Sequence, residues 1–375
     1  MKHQWPMMGR TPSQEFRAVS RGPEHAHVLW VFELGQKAYL TPLIAQDGTV
    51  FAATASSLVV LDPNGAPQWS RQFDLKLLSG GSLLSDKSLV IADSDGVVHC
   101  VSPGGAERWV FDPCRTCLTM PTTMGMPLFP ANMPAAERPR APAHWPGGVT
   151  ALDDDSVVLC DGLGRTIALD RDGRLLWEHY MEGALGAGPC VHEDGTVYGI
   201  ARGKLVARVP DGTEAWESQG RTILEGLVNG PISLWSKGNV VYAGAGYPSG
   251  LLAVSTAGDE LWRSQLGQPL GPISVAEDGR TAYSTVGRVN SVGPDGTHLW
   301  TRRLYSTVCG PLTFDARGWL YFGTGDGVLL CVNESGDVVW SHDLGAPTLS
   351  GTSIGSDGRL YIGTMRGSLF CMAGD

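Results

Sequence analysis

The sequence lacks any long hydrophobic run, and basic side chains are scarce. Nothing in its 375 residues approaches the roughly 18 consecutive apolar residues that mark a membrane-spanning helix. The opening stretch, Met1 to Pro6, contains no apolar core of the kind found in export signals. Lys and Arg number 28 against 38 Asp and Glu, and duplex nucleic acid requires a cluster of basic side chains. We therefore expect a cytoplasmic protein without a membrane span or a nucleic-acid partner.

Familiar catalytic and metal-binding patterns are also missing. The histidines show no metal-ligand spacing, and no Ser-His-Asp order, phosphate loop or dinucleotide glycine fingerprint stands out. One Cys-x-x-Cys pair, Cys114 and Cys117, could hold zinc, form a redox disulfide or, with Met120 and Met124, bind Cu(I). Because zinc sites normally need two further ligands, free thiols are the favoured state. We predict no cofactor, with Cys114 and Cys117 as the only metal candidates.

What the sequence does contain is a tryptophan that recurs four residues after a glycine. The pairs are Gly65 and Trp69, Gly105 and Trp109, Gly173 and Trp177, Gly212 and Trp216, Gly258 and Trp262, Gly296 and Trp300, and Gly336 and Trp340. Successive tryptophans lie 40, 68, 39, 46, 38 and 40 residues apart. One propeller blade of four short antiparallel strands needs about 40 to 50 residues. The spacing therefore predicts one blade for each repeat.

The two ends of the chain are expected to share one further blade. Trp30 lies 39 residues before Trp69, but Ala26 stands where the glycine should be. The C-terminal segment supplies only two strands, whereas residues 27–32 form a lone strand that carries Trp30. A ring closed in this way has no free sheet edge. We predict an all-β, eight-bladed propeller forming a single domain over 1–375, with an N-terminal extension over 1–26 and an insertion over 113–147.

Each blade is expected to have an inner strand A and then strands B, C and D towards the outside. In the first repeat these are residues 40–45, 49–54, 57–61 and 68–73. The A–B and C–D turns then share one face of the disc, which we call the bottom, and the B–C turns and D-to-A connections share the top. The extra residues of the long spacings fall on the top. Binding loops usually extend from one rim of a rigid scaffold, so we place the site there.

The insertion over 113–147 is rich in proline and methionine and too apolar for a free linker. We interpret it as a lid that folds over the top of the channel and packs on the disc or on a ligand. The alternative is a clasp that merely plugs the axial hole.

Candidate site residues come from the top turns and connections. Arginines around a channel mouth would favour a carboxylate or phosphate ligand. The predicted ligand-binding residues are Lys37, Lys76, Arg165, Glu182, Arg202, Arg221, Asn229, Tyr247, Arg288, Thr307 and Arg366. Glu225 is the candidate acid or base, because apolar neighbours raise a carboxyl pKa. Tyr39 and Tyr305 are candidate donors to an oxyanion.

The repeat in 46–69 and 155–177, a strand pair with an Asp-Gly turn followed by Asp-x-x-Gly-x-x-x-Trp, resembles the quinoprotein or PQQ-like repeat. The opening from Trp5 to Arg10 is similar to the leader of such proteins. The resemblance implies an eight-bladed propeller whose tryptophans dock between blades. The family includes quinone-dependent alcohol dehydrogenases and a propeller lipoprotein of outer-membrane barrel assembly. The dehydrogenases use an adjacent Cys-Cys pair beneath the quinone, and this chain has none, so we expect no pyrroloquinoline quinone.

The sequence thus favours a propeller that binds a small anionic ligand or a protein partner at the lidded top of its channel. The alternative is a cofactor-independent enzyme of the lyase, cyclase or isomerase kind. The oligomeric state stays open, and a monomer is compatible with the pattern.

Overall fold

The computed structural model describes residues 3–74, 77, 80–116, 122–123, 126–127, 148–160, 165–180, 189–201, 204–211, 213–218, 232–245 and 250–374. Strand β1 spans His27–Glu33. Blade 1 contains β2 (Leu43–Ile44), β3 (Val50–Ala53), β4 (Ser57–Leu61) and β5 (Pro67–Gln72). Blade 2 contains β6 (Ser82–Leu83), β7 (Leu89–Ala92), β8 (Val98–Val101) and β9 (Glu107–Phe111). A short helix α1 (Pro113–Thr116) and the hairpin strands β10 (Thr122–Thr123) and β11 (Met126–Pro127) follow.

The remaining blades repeat the same order. Blade 3 contains β12 (Val149–Ala151), β13 (Val157–Cys160), β14 (Arg165–Leu169) and β15 (Leu175–Tyr180), and blade 4 contains β16 (Cys190–Val191), β17 (Val197–Ala201), β18 (Lys204–Arg208) and β19 (Glu214–Glu217). Blade 5 contains β20 (Ile232–Trp235), a 3-10 turn (Ser236–Gly238), β21 (Val240–Ala245), β22 (Gly250–Ser255) and β23 (Glu260–Ser264). Blade 6 contains β24 (Ser274–Val275), β25 (Thr281–Thr285), β26 (Arg288–Val292) and β27 (His298–Arg303). Blade 7 contains β28 (Thr313–Phe314), β29 (Leu320–Gly323), β30 (Val328–Val332) and β31 (Val338–Asp343), and blade 8 contains β32 (Ser353–Ile354), β33 (Leu360–Gly363) and β34 (Ser368–Ala373).

Blade 8 is completed by the N-terminal strand. Strand β1 pairs antiparallel with β34, so that His27 lies opposite Ala373 and Glu33 opposite Ser368. The sheet order is β1, β34, β33, β32, whereas the other blades follow sequence order from the inner strand outwards. The predicted eight-bladed propeller and its closure by the N-terminal strand are therefore confirmed.

The tryptophan repeat holds neighbouring blades together. The indole of Trp69 in blade 1 donates a hydrogen bond to the carbonyl oxygen of Pro103 in blade 2 at 2.8 Å. The glycine of the motif accepts the ring: a β-carbon on Gly105 would lie 3.0 Å from the Trp69 ring. Each described glycine of the motif thus contacts the tryptophan of the preceding blade, which is why the two recur together.

In blades 4, 5, 7 and 8 a small residue on strand C separates a tyrosine on strand B from the tryptophan on strand D. In blade 7, Cys331 lies opposite both Tyr321 and Trp340, and those two rings are 5.9 Å apart. Cys100, Cys331 and Cys371 are fully buried. These thiols therefore fill space in the core of their blades.

The N-terminal extension is more than a leader. Residues 3–20 cross the bottom ends of the inner strands, and Trp5 and Phe16 are buried there. The extension forms hydrogen bonds with Ile44, Leu83, Thr150, Val191, Leu234, Val275, Phe314 and Gly355, one residue from each blade. It therefore lies on the bottom face, against the inner strands, and joins all the blades.

Candidate functional site

The described part of the top rim includes the complete connections around blades 6 to 8. Here the D-to-A connections run over 304–312 and 344–352, and a third over 34–42 leads from blade 8 into blade 1. The inner ends of these connections approach one another closely. A β-carbon on Gly310 would lie 2.8 Å from the carbonyl oxygen of Ser350. Beside this close approach Cys309 and Leu349 are exposed, whereas Pro311 and Gly351 are buried.

The residues that the connections expose are mainly apolar. Leu270 and Leu349 are 45% and 40% exposed, and Tyr305 is fully exposed. In the B–C turn of blade 6, Val286 is 76% exposed. Cys309 is exposed as well. These side chains offer apolar contact area to a partner on the top rim.

Many of the predicted site residues lie outside the described residues. These are Lys76, Glu182, Arg202, Arg221, Glu225, Asn229, Tyr247 and Cys117, together with the side chain of Cys114. The predicted lid over 113–147 also lies outside them, apart from α1, β10 and β11. Their site assignments stay predictions.

Four predicted ligand-binding residues stand exposed on the top. They are Lys37, Arg288, Thr307 and Arg366. Arg165 is placed differently, since it is buried and its Nη1 donates to the carbonyl oxygen of Pro113 at 3.1 Å. This contact ties the start of α1 to blade 3.

The two tyrosine candidates have different surroundings. The hydroxyl of Tyr39 donates to the carbonyl oxygen of Leu77 at 2.5 Å, and burial raises the pKa of Tyr39. Tyr305 begins the connection between blades 6 and 7 with its ring in solvent. The structure therefore places Tyr39 in a backbone contact and Tyr305 on the apolar rim.

Sequence reasoning missed Arg303, an exposed residue at the end of β27. Its Cα lies opposite that of Arg288 across the β26–β27 pair. The register of the two strands is the signal that could have identified Arg303. The candidate residues came from turns and connections, and Arg303 belongs to strand D.

The bottom face differs from the top in its electrostatics. A cavity of about 440 Å³ lies there between blades 6 and 7 and the N-terminal extension. Its arginines are paired: Arg280 lies 2.7 Å from Asp278, and Arg317 lies 2.8 Å from Asp315. Among the described residues, no group of three or more His, Cys, Asp or Glu side chains could hold a metal ion.

A closed ring of four-stranded blades, joined by docked tryptophans, defines the class as an eight-bladed PQQ-like propeller. A family model described as outer membrane protein assembly factor BamB matches residues 94–286 and 248–372. These matches cover well over half of the chain, and the chain belongs to this family. No match was found among curated proteins. Within the described residues, no helix has the length and hydrophobicity to cross a bilayer.

Solved structures share the fold at low sequence identity. BamB from Moraxella catarrhalis is 16% identical, with a TM-score of 0.70 over 93% of this chain and 99% of that one. Quinohemoprotein alcohol dehydrogenase from Comamonas testosteroni is 12% identical, with a TM-score of 0.76 over 99% of this chain and 80% of that one. A europium-containing methanol dehydrogenase is 12% identical, with a TM-score of 0.73 over 100% and 98%. At these identities the likeness concerns the fold alone.

Proposed function

We propose that this chain is a binding propeller that holds a protein partner on its top face. The observation that carries the proposal is the exposed apolar rim formed by Leu270, Val286, Tyr305 and Leu349. Aromatic and arginine side chains with apolar neighbours are typical of the energetic centre of protein interfaces. The family is described as an assembly factor, which supports a partner made of protein rather than a small metabolite.

The enzyme alternative gains no supporting contact among the described residues. The Tyr39 hydroxyl donates to a backbone carbonyl, and Tyr305 stands in solvent. A general acid or base has to be held within hydrogen-bond reach of its substrate by its surroundings. A fully exposed ring lacks such surroundings.

A function without quinone is also part of the proposal. Pyrroloquinoline quinone carries several carboxylates, and its site would need basic side chains around the axis. The described inner ends of the connections carry Leu270, Cys309 and Leu349 instead. These residues do not fit the cofactor. Adding the quinone to purified protein should leave the thermal unfolding temperature unchanged, and a clear increase would contradict this part.

Photo-crosslinking tests the proposal. A benzophenone amino acid replaces Leu349 on the top, and in a control it replaces Ser335, an exposed residue of the C–D turn of blade 7 on the bottom. We expect irradiation in cells to join a partner to the first variant only. The partner, identified by mass spectrometry, should bind the purified wild-type protein. Crosslinks from Ser335 alone, or equally from both, would exclude a top-face site. Fractionation of the same cells would test the cytoplasmic location, which stays a prediction.

A further inference from the structure

Two arginines face each other at the top corner of blade 6. Arg288 begins β26 and Arg303 ends β27, and their Cα atoms are paired in the antiparallel register. Side chains that lie directly opposite in such a pair are on the same side of the sheet, and like charges there are destabilising. Both side chains are exposed. The corner therefore concentrates positive charge at some cost in stability.

The charges of these two arginines are not neutralised within the described part of the chain, where no carboxylate forms an ion pair with either. Other arginines nearby do have partners: Arg263 lies 2.6 Å from Glu260, and Arg280 lies 2.7 Å from Asp278. The chain carries ten more acidic than basic residues, at a net charge of −10. Carboxylates are therefore abundant in this chain, and yet none of the described ones pairs with these two arginines.

The corresponding pairs of other blades do not repeat the feature. They are Ser57 with Gln72, Arg165 with Tyr180, Val328 with Asp343, and Ser368 with Glu33. Each contains at most one charged residue. The repeat itself does not require two arginines, and among the blades whose corresponding pair is described, blade 6 alone has two.

Backbone hydrogen bonds hold this corner of blade 6, and exposed apolar residues lie close to the two arginines in sequence. Val286 and Gly287 form a two-residue turn between paired Thr285 and Arg288. The amide of Leu304 donates to the carbonyl oxygen of Gly287 at 2.9 Å and fixes the exit of strand D to this turn. Val286, two residues before Arg288, and Tyr305, two residues after Arg303, are both exposed. An ordered turn of this kind lowers the entropy lost on binding.

We propose that Arg288 and Arg303 form a clamp for a carboxylate in an acidic segment of the protein partner, with Val286 and Tyr305 packing on an adjacent apolar side chain. The assignment rests on the proposed function and names the partner's chemistry. Planar guanidinium groups bind carboxylates through paired, charge-assisted hydrogen bonds. Asp326, in the B–C turn of blade 7, is engaged by the hydroxyl of Thr324, and this hydrogen bond lowers the pKa of Asp326.

The test uses two labelled peptides of ten residues, one alternating Glu and Leu and the other alternating Gln and Leu. Fluorescence anisotropy measures their binding to the wild type, to R288Q/R303Q and to R171Q/R174Q. The last variant also removes two exposed positive charges, from a C–D turn on the bottom. We expect the Glu peptide to bind at least about tenfold more tightly than the Gln peptide, since charge-assisted hydrogen bonds carry the recognition. R288Q/R303Q should abolish that difference, and R171Q/R174Q should keep it.

Two controls separate the clamp from a structural role and from the proposed function. The unfolding temperature of R288Q/R303Q should equal or exceed that of the wild type, because a repulsion is removed; a decrease would mean that the arginines stabilise the fold, and would overturn the clamp. If the benzophenone at Leu349 captures its partner equally well in R288Q/R303Q, the clamp is wrong while the top-face function stands. Equal binding of both peptides to the wild type would also overturn the clamp.

Discussion

The indole nitrogen of Trp340 donates a hydrogen bond to the carbonyl oxygen of Pro23 at 3.0 Å. In the other described junctions of this kind the acceptor lies in the continuous C–D turn of the next blade, as with Trp300 and Glu334 at 2.8 Å. Blade 8 has no such turn, because its strands C and D come from opposite ends of the chain. The N-terminal extension supplies the missing acceptor. This also explains why Ala26 interrupts the glycine pattern.

The glycine of each motif is required by the ring that packs on it. A β-carbon on Gly336 would lie 2.7 Å from the indole of Trp300, at a φ of +85°. Gly345 has a φ of +70° with nothing within 4 Å. Gly336→Ala should therefore lower the free energy of unfolding by about 2 kcal/mol more than Gly345→Ala, which pays only the backbone strain. Urea unfolding measures both, and equal losses would show that the ring contact is unimportant.

The N-terminal extension should contribute strongly to stability. Trp5 is fully buried and its backbone forms two hydrogen bonds with Ile44. Trp5→Ala should cost about 3–5 kcal/mol, as expected for a large buried side chain. Val19→Ala, in the same segment but 63% exposed, should change the free energy of unfolding by less than about 0.5 kcal/mol. Similar small effects in both variants would mean that the extension is not docked in solution.

A buried carboxylate joins the extension to blade 7. Asp315 is fully buried, and its Oδ2 accepts hydrogen bonds from the amide of Gly22 at 2.9 Å and from Arg317 at 2.8 Å. Asp315→Asn should cost about 1–3 kcal/mol, because it removes the buried charge beside the mostly buried guanidinium of Arg317, which then keeps, among the described residues, only the exposed Glu24 as its ion-pair partner. Asp357→Asn removes a carboxylate that is 49% exposed beside Arg359 and should cost under about 1 kcal/mol. Thermal unfolding compares the two, and an equal effect would contradict the buried link.

Stability should fall at alkaline pH. Burial raises the pKa of Cys100, Cys331 and Cys371 from 9.0 to about 12. The folded state therefore holds these protons more tightly, so the stabilisation is complete below pH 9 and is lost as the pH rises towards 12. Cys331→Ser should weaken this dependence, since Ser291 already occupies the same position in blade 6. Urea unfolding at pH 7, 9 and 10.5 measures this decrease in the free energy of unfolding. A free energy of unfolding that stays constant over this range would contradict the prediction.

The fold could be predicted because its main contact repeats. Where a continuous C–D turn follows on the next blade, the described tryptophans pack on its glycine, so pairs such as Gly105 and Trp109 recur with the period of a blade. The role of the extension could not be predicted in the same way. Its backbone bonds, such as those of Pro12 with Val191 and Ser13 with Leu234, depend little on side-chain identity and leave no periodic signal.

The site could be predicted only in part. Exposed basic residues such as Arg288 and Arg366 follow from turn composition. Arg303 needed the strand register, because its partner is fifteen residues away across a hairpin. The burial of Arg165 depends on its contact with Pro113, which no local pattern in the sequence indicates.

Amide hydrogen exchange on the protein alone and with its captured partner tests the top-face site most directly. The top connections over 304–312 and 344–352 and the turn at Val286 should be protected by the partner. The bottom turns over 315–318 and 355–358 should exchange as they do in the free protein. Protection confined to those bottom turns would contradict a binding function of the top face.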